Sequence, residues 1–277
     1  MKATEAKFLD FLHKSSQFVV PIYQRTYSWT EKQCKQLWDD VIRAGTDEAV
    51  SVHFVGSIVY IQDGLSQVVN QAPLLVIDGQ QRLTTVTLLL EALARALGDE
   101  EPIEGFSAEK IRSYQLVNSL EKNDKYFKLL LSDTDRDTLK AIIQNRDIPG
   151  SHSIKTVQNF EFFQNKLAEL DGNLIPVCLG LAKLMLVDIA LNRDTDNPQL
   201  IFESMNSTGR ELSQADLIRN FILMGLDHEL QTELYEVYWR PMERQFGQEA
   251  YDRQFDGFIR NYLTFKTGSQ PRLGDVY

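Results

Sequence analysis

The sequence predicts an α+β fold, a small mixed sheet with helices followed by a mainly helical region. Three observations carry this. Short apolar runs of strand length alternate with amphipathic helical patterns from the N-terminus to Leu97. An acidic stretch containing Gly and Pro, Gly98 to Gly105, then interrupts the pattern. Beyond it apolar residues recur mostly at helical spacing. The expected domains are therefore residues 1–104, a small mixed-sheet core, and 105–277, a helical region packing on that core.

The elements follow in order. Thr4 to His13 reads as a helix and Gln17 to Val20 as a strand. Thr30 to Arg43 is a helix, with Thr30 as cap and Gln33 in capping-box position. Val52 to Gln62 and Leu74 to Ile77 are strands. Leu83, Val86, Leu90, Leu93 and Leu97 recur on one helical face, which predicts a helix from Gln80 to Leu97. Past the linker, helices are expected over Ala108–Leu120, Thr134–Gln144, Ser153–Leu170, Pro198–Met205, Gln214–Leu226, Leu230–Gln245 and Tyr251–Phe265. Short strands near Tyr126–Leu130 and Leu184–Leu191 are expected to pair back onto the sheet.

With 277 residues and 43% hydrophobic content the chain can bury a substantial core. No apolar run approaches the ~18 residues of a membrane helix, and Met1 to Lys7 lacks a signal-peptide core, so no membrane partner and a cytoplasmic location are expected. Cys34 and Cys178 both fall in helix-like segments and make neither a disulfide framework nor a zinc site. The formal charge of −10 argues against a protein that coats DNA electrostatically. Residues 1–90, however, carry 8 basic against 9 acidic side chains, so DNA, if bound, is expected there or on a surface contributed by another part of the full protein.

Three polar corners stand out among the apolar elements. In Val76-Ile77-Asp78-Gly79-Gln80-Gln81-Arg82-Leu83-Thr84-Thr85 a strand ends in an Asp-Gly turn that opens a helix. First-turn amides, the positive end of the helix dipole and a guanidinium there make a corner suited to phosphate. A plainer reading has Asp78 as helix cap and Gln80, Gln81 and Arg82 as solvated first-turn residues. The second corner is the aromatic and basic loop Val20-Pro21-Ile22-Tyr23-Gln24-Arg25-Thr26-Tyr27-Ser28-Trp29, in which Tyr27 and Trp29 also read as core anchors. The third, Phe202 to Leu217, reads as a helix end, a Gly209 turn and a new helix capped by Ser213.

In this order the segments resemble the DGQQR-motif N-terminal domain family of GmrSD-type modification-dependent restriction enzymes and of SspE. The family's marks are VPxYQRxYxW, FxGSI, DGQQRLTT and FExxNxxGxxLxxxD. They match Val20–Trp29, Phe54–Ile58, Asp78–Thr85 and Phe202–Asp216, so the resemblance spans about residues 8 to 220.

The resemblance implies a ParB/sulfiredoxin-like core that hydrolyses a nucleoside triphosphate. Asp78, Gln80, Gln81 and Arg82 would be catalytic. Arg82 suits the β- or γ-phosphate through its planar fork. Gln80 and Gln81 would position water, and Asp78 would hold a ribose hydroxyl, Mg2+ or that water. Gly79, Thr84, Gln24, Arg25 and Asn206 would bind nucleotide. Pro21, Tyr23, Arg25 and Tyr27 would sense modified DNA, an apolar rim suiting a phosphorothioate and aromatics a glucosylated base. The nuclease of such systems is an HNH domain or subunit. The scattered His13, His53, His152 and His228 do not encode one here. The chain has neither a GxSxG elbow nor a GxxxxGK[ST] loop. Its ending at Tyr277 without a polar tail is that expected of a truncated or abbreviated family member. A non-catalytic nucleotide- or DNA-binding module and a regulatory fragment acting through protein contacts are the competing readings.

Overall fold

A computed structural model describes residues 1–62, 72–192, 196–206 and 213–272. The chain forms two compact units, one of Met1–Pro21 with Thr26–Asp196, the other of Ile22–Arg25 with the chain from Asn197 onward.

The first unit is built on a six-stranded mixed sheet. Its strands are β1 (Lys2–Lys7), β2 (Phe18–Val19), β3 (His53–Gln62), β4 (Leu74–Asp78), β5 (Leu129–Leu130) and β6 (Leu184–Leu191), in the order β1-β6-β3-β4-β2-β5. The β1–β6 and β3–β4 pairs are antiparallel, and the other neighbours are parallel. The α+β class is thus the one expected. Because β5 and β6 lie in this sheet, the contact division falls near residue 196, whereas the sequence reading placed it at 104/105.

The first unit also holds helices α1 (Phe8–Lys14), α2 (Glu31–Thr46), α3 (Gln80–Leu97), α4 (Ala108–Ile111), α5 (Asp133–Ile143), α6 (Ile154–Ala168) and α7 (Ile175–Ala182). The helix expected from Thr4 is half strand. Lys2 to Lys7 pair with Ala190 to Met185, and only from Phe8 do Phe8, Phe11 and Leu12 turn helically into the core. The KATEAK pattern carries no strong strand signal, so the long-range partner β6 decides it. The helix expected over Ala108–Leu120 is shorter, α4 passing into a π-helical turn at Arg112–Leu116.

Helix α3 is buried nearly throughout, its polar side chains included. Its Glu91 has no exposed surface. The carboxylate accepts from Arg95 Nε at 2.9 Å and Arg112 Nη2 at 3.1 Å, and Arg95 also donates to the Ile142 carbonyl. Helices α2 and α7 meet backbone to backbone. A Cβ on Gly180 would lie 1.9 Å from the Val41 carbonyl oxygen, and one on Gly45 would lie 1.8 Å from that of Pro176.

The second unit contains α8 (Pro198–Asn206), α9 (Gln214–Leu223), α10 (His228–Leu234) and α11 (Arg240–Thr267), with a π-helical turn at Tyr235–Trp239. Gly247, at φ 71°, interrupts α11, near where the sequence reading separated two helices. Tyr23, Ala215, Leu223, Tyr235, Trp239 and Phe255 form its core.

The glycine contact between α2 and α7 generates a prediction. Gly180→Ala should lower stability by about 1–3 kcal/mol or more, because a methyl there must push two backbones apart. A urea midpoint equal to that of the parent would show that the helices part without cost.

Candidate functional site

The Asp78–Arg82 corner depends on two glycines. Strand β3 changes register against β6 between Phe54 and Ser57, and Gly56 sits in that irregularity at φ 103°. A Cβ on Gly56 would lie 2.9 Å from Arg82 Nε, so only glycine leaves room for the guanidinium. Arg82 Nη1 donates to the Ser57 carbonyl at 3.0 Å and lies 3.5 Å from Asp78 Oδ2. Gly79 is the helix N-cap at φ 95°, and its Cα packs against β3, where a Cβ would meet the Ser57 carbonyl at 2.9 Å. The plainer expectation that Asp78 caps the helix therefore fails. Its carboxylate faces Arg82 instead.

Gln81 is 7% exposed, and its amide is committed to the preceding loop. Oε1 accepts from the backbone of Ser28 at 2.9 Å and Trp29 at 3.1 Å, and Nε2 donates to the Thr26 carbonyl at 3.3 Å. Gln81 thus fixes a loop through both its amide oxygen and its amide nitrogen. Thr84 is 1% exposed and its hydroxyl donates to the Gln80 carbonyl, so as a nucleotide ligand it is corrected to a buried helix residue. Gln80 is buried beside it.

The loop that Gln81 holds is tied from the other side as well. Tyr27 is buried; its hydroxyl meets Thr85 Oγ1 at 2.7 Å and accepts from Asn159 at 3.0 Å. Its backbone N–H donates to Asp135 at 2.5 Å. Tyr27 is therefore a core anchor, the alternative the sequence left open, and not a sensor of DNA. Pro21 is buried too.

Tyr23, Gln24 and Arg25 belong to the second unit. Tyr23 lies in that unit's core, and its carbonyl accepts from Arg219 Nε at 2.8 Å. Arg219, 2% exposed, also donates to Asp216 at 2.7 Å, to Tyr251 at 3.2 Å and to Glu243. Asp216, the last residue of the FExxNxxGxxLxxxD motif, thus orients the arginine that holds the YQR loop. Gln24 is buried and Arg25 half-buried. Of the apolar rim expected of Pro21 and Tyr23, Pro21 is buried in the first unit and Tyr23 lies in the core of the second. Asn206 closes α8, while its side chain, with Gly209 and Arg210, lies outside the described residues. Ser213 caps α9 as expected, its hydroxyl accepting from Asp216 N at 3.0 Å.

One feature of the corner escaped sequence reasoning. A cavity of about 320 Å³ opens between α2, the start of β3 and α3, and Arg82 lines it together with Trp29, Asp40, His53 and Phe54. The glycine of the FxGSI strand was the available signal, since glycine inside a strand marks a bulge or a close approach.

Asp135, which holds the Tyr27 amide, has its pKa raised from 3.8 to about 6 by burial, against hydrogen bonds from Ser153, Tyr27 and Thr156 that lower it. The native state therefore binds the proton more tightly than the unfolded chain. Its contribution to stability is complete below 3.8 and is lost as pH rises through about 6. Asp135→Asn keeps an acceptor for Tyr27, so it should gain on the parent by roughly 1 kcal/mol per pH unit across that window. Denaturant titrations at several pH values would check this, and a constant difference between the two proteins would refute it.

A search of curated proteins returns no significant match. The family model described as GmrSD restriction endonuclease, N-terminal domain, matches residues 8–223, which takes in all four motifs. With the Asp78–Arg82 corner, the glycine strand and the YQR loop inside that match, the chain belongs to the GmrSD restriction endonuclease N-terminal domain family, and hence to a component of a modification-dependent restriction system.

Proposed function

We propose that the first unit hydrolyses a nucleoside triphosphate at the Asp78–Arg82 corner, and that modified DNA governs this turnover to control a separate nuclease. The observation that carries the reading is Arg82. Its guanidinium is fixed at the first turn of α3 by Ser57 and Asp78, yet it also lines the cavity. A cation held in advance stabilises charge that develops on a phosphoryl group without reorganising at the moment of reaction. The positive end of the α3 dipole adds to it.

Gln80 and Gln81, both at the first turn of α3, are the residues offered to orient the attacking water. Asp78 keeps 21% of its side chain exposed beside Arg82. Among the described residues no cluster of three acidic, His or Cys side chains forms a metal cage. One carboxylate with phosphate oxygens and water is the usual Mg2+ arrangement, and Asp78 fits that part. Bound there, Mg2+ would neutralise phosphate charge.

The stimulus in this reading is phosphorothioate or glucosylated DNA, and the effector an HNH nuclease domain or subunit, in the cytoplasm. Of the four residues expected to sense DNA, Arg25 alone retains surface, so contact from that loop would fall to it. Among the described residues no helix is long and apolar enough to cross a membrane. The engagement of Gln81 favours a second reading, a nucleotide-binding regulatory module without catalysis.

Two measurements follow from these roles. Arg82→Ala should lower hydrolysis about 100-fold or more, from charge-assisted bonds worth roughly 1.5–3 kcal/mol each, while Arg82→Lys keeps the charge and folds normally. Parental turnover in folded Arg82→Ala would sink the assignment, and binding without turnover in the parent would favour the regulatory module. Modified duplex should stimulate hydrolysis and plain duplex should bind weakly, given the net charge of −10. Equal tight binding of both duplexes would oppose a sensing role.

A further inference from the structure

We propose that the cavity beside Arg82 is the base-side subsite for the nucleotide, so that selectivity for a nucleoside over bare polyphosphate resides in Trp29, Phe54, Asp40 and His53. The inference rests on the hydrolysis reading for the phosphate end.

The cavity is chemically divided. Arg82 is among its lining residues. Its walls include the half-buried Trp29 and the exposed Phe54, which keeps 48% of its surface although it is a large apolar side chain on a strand. Such a ring at a cavity mouth gives a face on which a base can stack. The lining also holds a fixed polar group. Asp40 Oδ1 accepts from Arg43 at 2.7 Å, and Oδ2 accepts from Gln36 at 3.0 Å and lies 3.4 Å from His53 Nε2. A carboxylate oriented by three neighbours discriminates N–H edges from carbonyl edges, because the wrong edge leaves it facing an acceptor. At about 320 Å³ the space is at the lower end for small-molecule sites and suits a nucleoside. A flat group bearing N–H donors, joined to an anionic chain, satisfies all three regions at once. Inorganic polyphosphate satisfies only Arg82.

The test titrates the full chain with a non-hydrolysable nucleoside triphosphate and with inorganic tripolyphosphate, following tryptophan emission and heat. The parent should bind the nucleotide more tightly than tripolyphosphate, with quenching that Trp29→Phe removes. Phe54→Ala should weaken nucleotide about tenfold and leave tripolyphosphate unchanged, which also serves as the folding control. Asp40→Asn should reorder affinities among the four common nucleotides. Equal binding of nucleotide and tripolyphosphate by the parent, or an unchanged Phe54→Ala, overturns the subsite alone. Base-dependent binding without turnover supports the subsite and removes the hydrolysis reading. Binding of neither ligand overturns both.

Discussion

Burial of α3 on every side is the constraint from which the site geometry follows. A helix surrounded by protein cannot leave its polar side chains to water, so each must find a partner within the fold. Gln81 finds the backbone of Thr26, Ser28 and Trp29, Thr85 finds the Tyr27 hydroxyl, and Glu91 finds Arg95 and Arg112. One helix thereby positions the aromatic loop at its N-terminal end and a charge network further along. With two arginines on it, the buried Glu91 carboxylate stays paired if either one is lost, and only the loss of both would strand its charge.

Arg82 stays partly exposed at the first turn of that helix, and β3 explains how it is held. The irregularity at Gly56 turns the Ser57 carbonyl toward the guanidinium and removes the side chain that would displace it. Asp78 balances the charge without taking it out of reach, since the pair stays 3.5 Å apart and partly exposed. The result is a cation held in place by neutral and anionic oxygens at the edge of a cavity, in a protein of net charge −10. Long-range attraction for polyanions is therefore weak and recognition must be local, through fixed groups rather than a basic surface.

A similar economy operates in the second unit, where the single guanidinium of Arg219 gathers Asp216, Glu243, Tyr251 and the Tyr23 carbonyl. Its planar set of donors serves several acceptors at once, which a lysine would not do. The family motif ending at Asp216 and the motif containing Tyr23 thus meet through a residue that neither motif names. Asp216 and Arg219 hold the loop in its conformation.

The sequence by itself determined what local chemistry controls. The α3 span, the capping box at Thr30, the cap at Ser213 and the β6 strand all appear where spacing and capping rules put them, because those signals act within a few residues. The four motifs also led to the family. Tertiary structure alone decided the rest. Lys2–Lys7 became a strand only because β6 was there to pair with it. Tyr23, Tyr27, Gln81 and Thr84 carry side chains equally suited to ligands or to a core, and burial consigned them to the core. The cavity beside Arg82 draws on residues from Trp29 to Val86, brought together by α2, β3 and α3. No short-range pattern records such a meeting, since it depends on how separate elements pack.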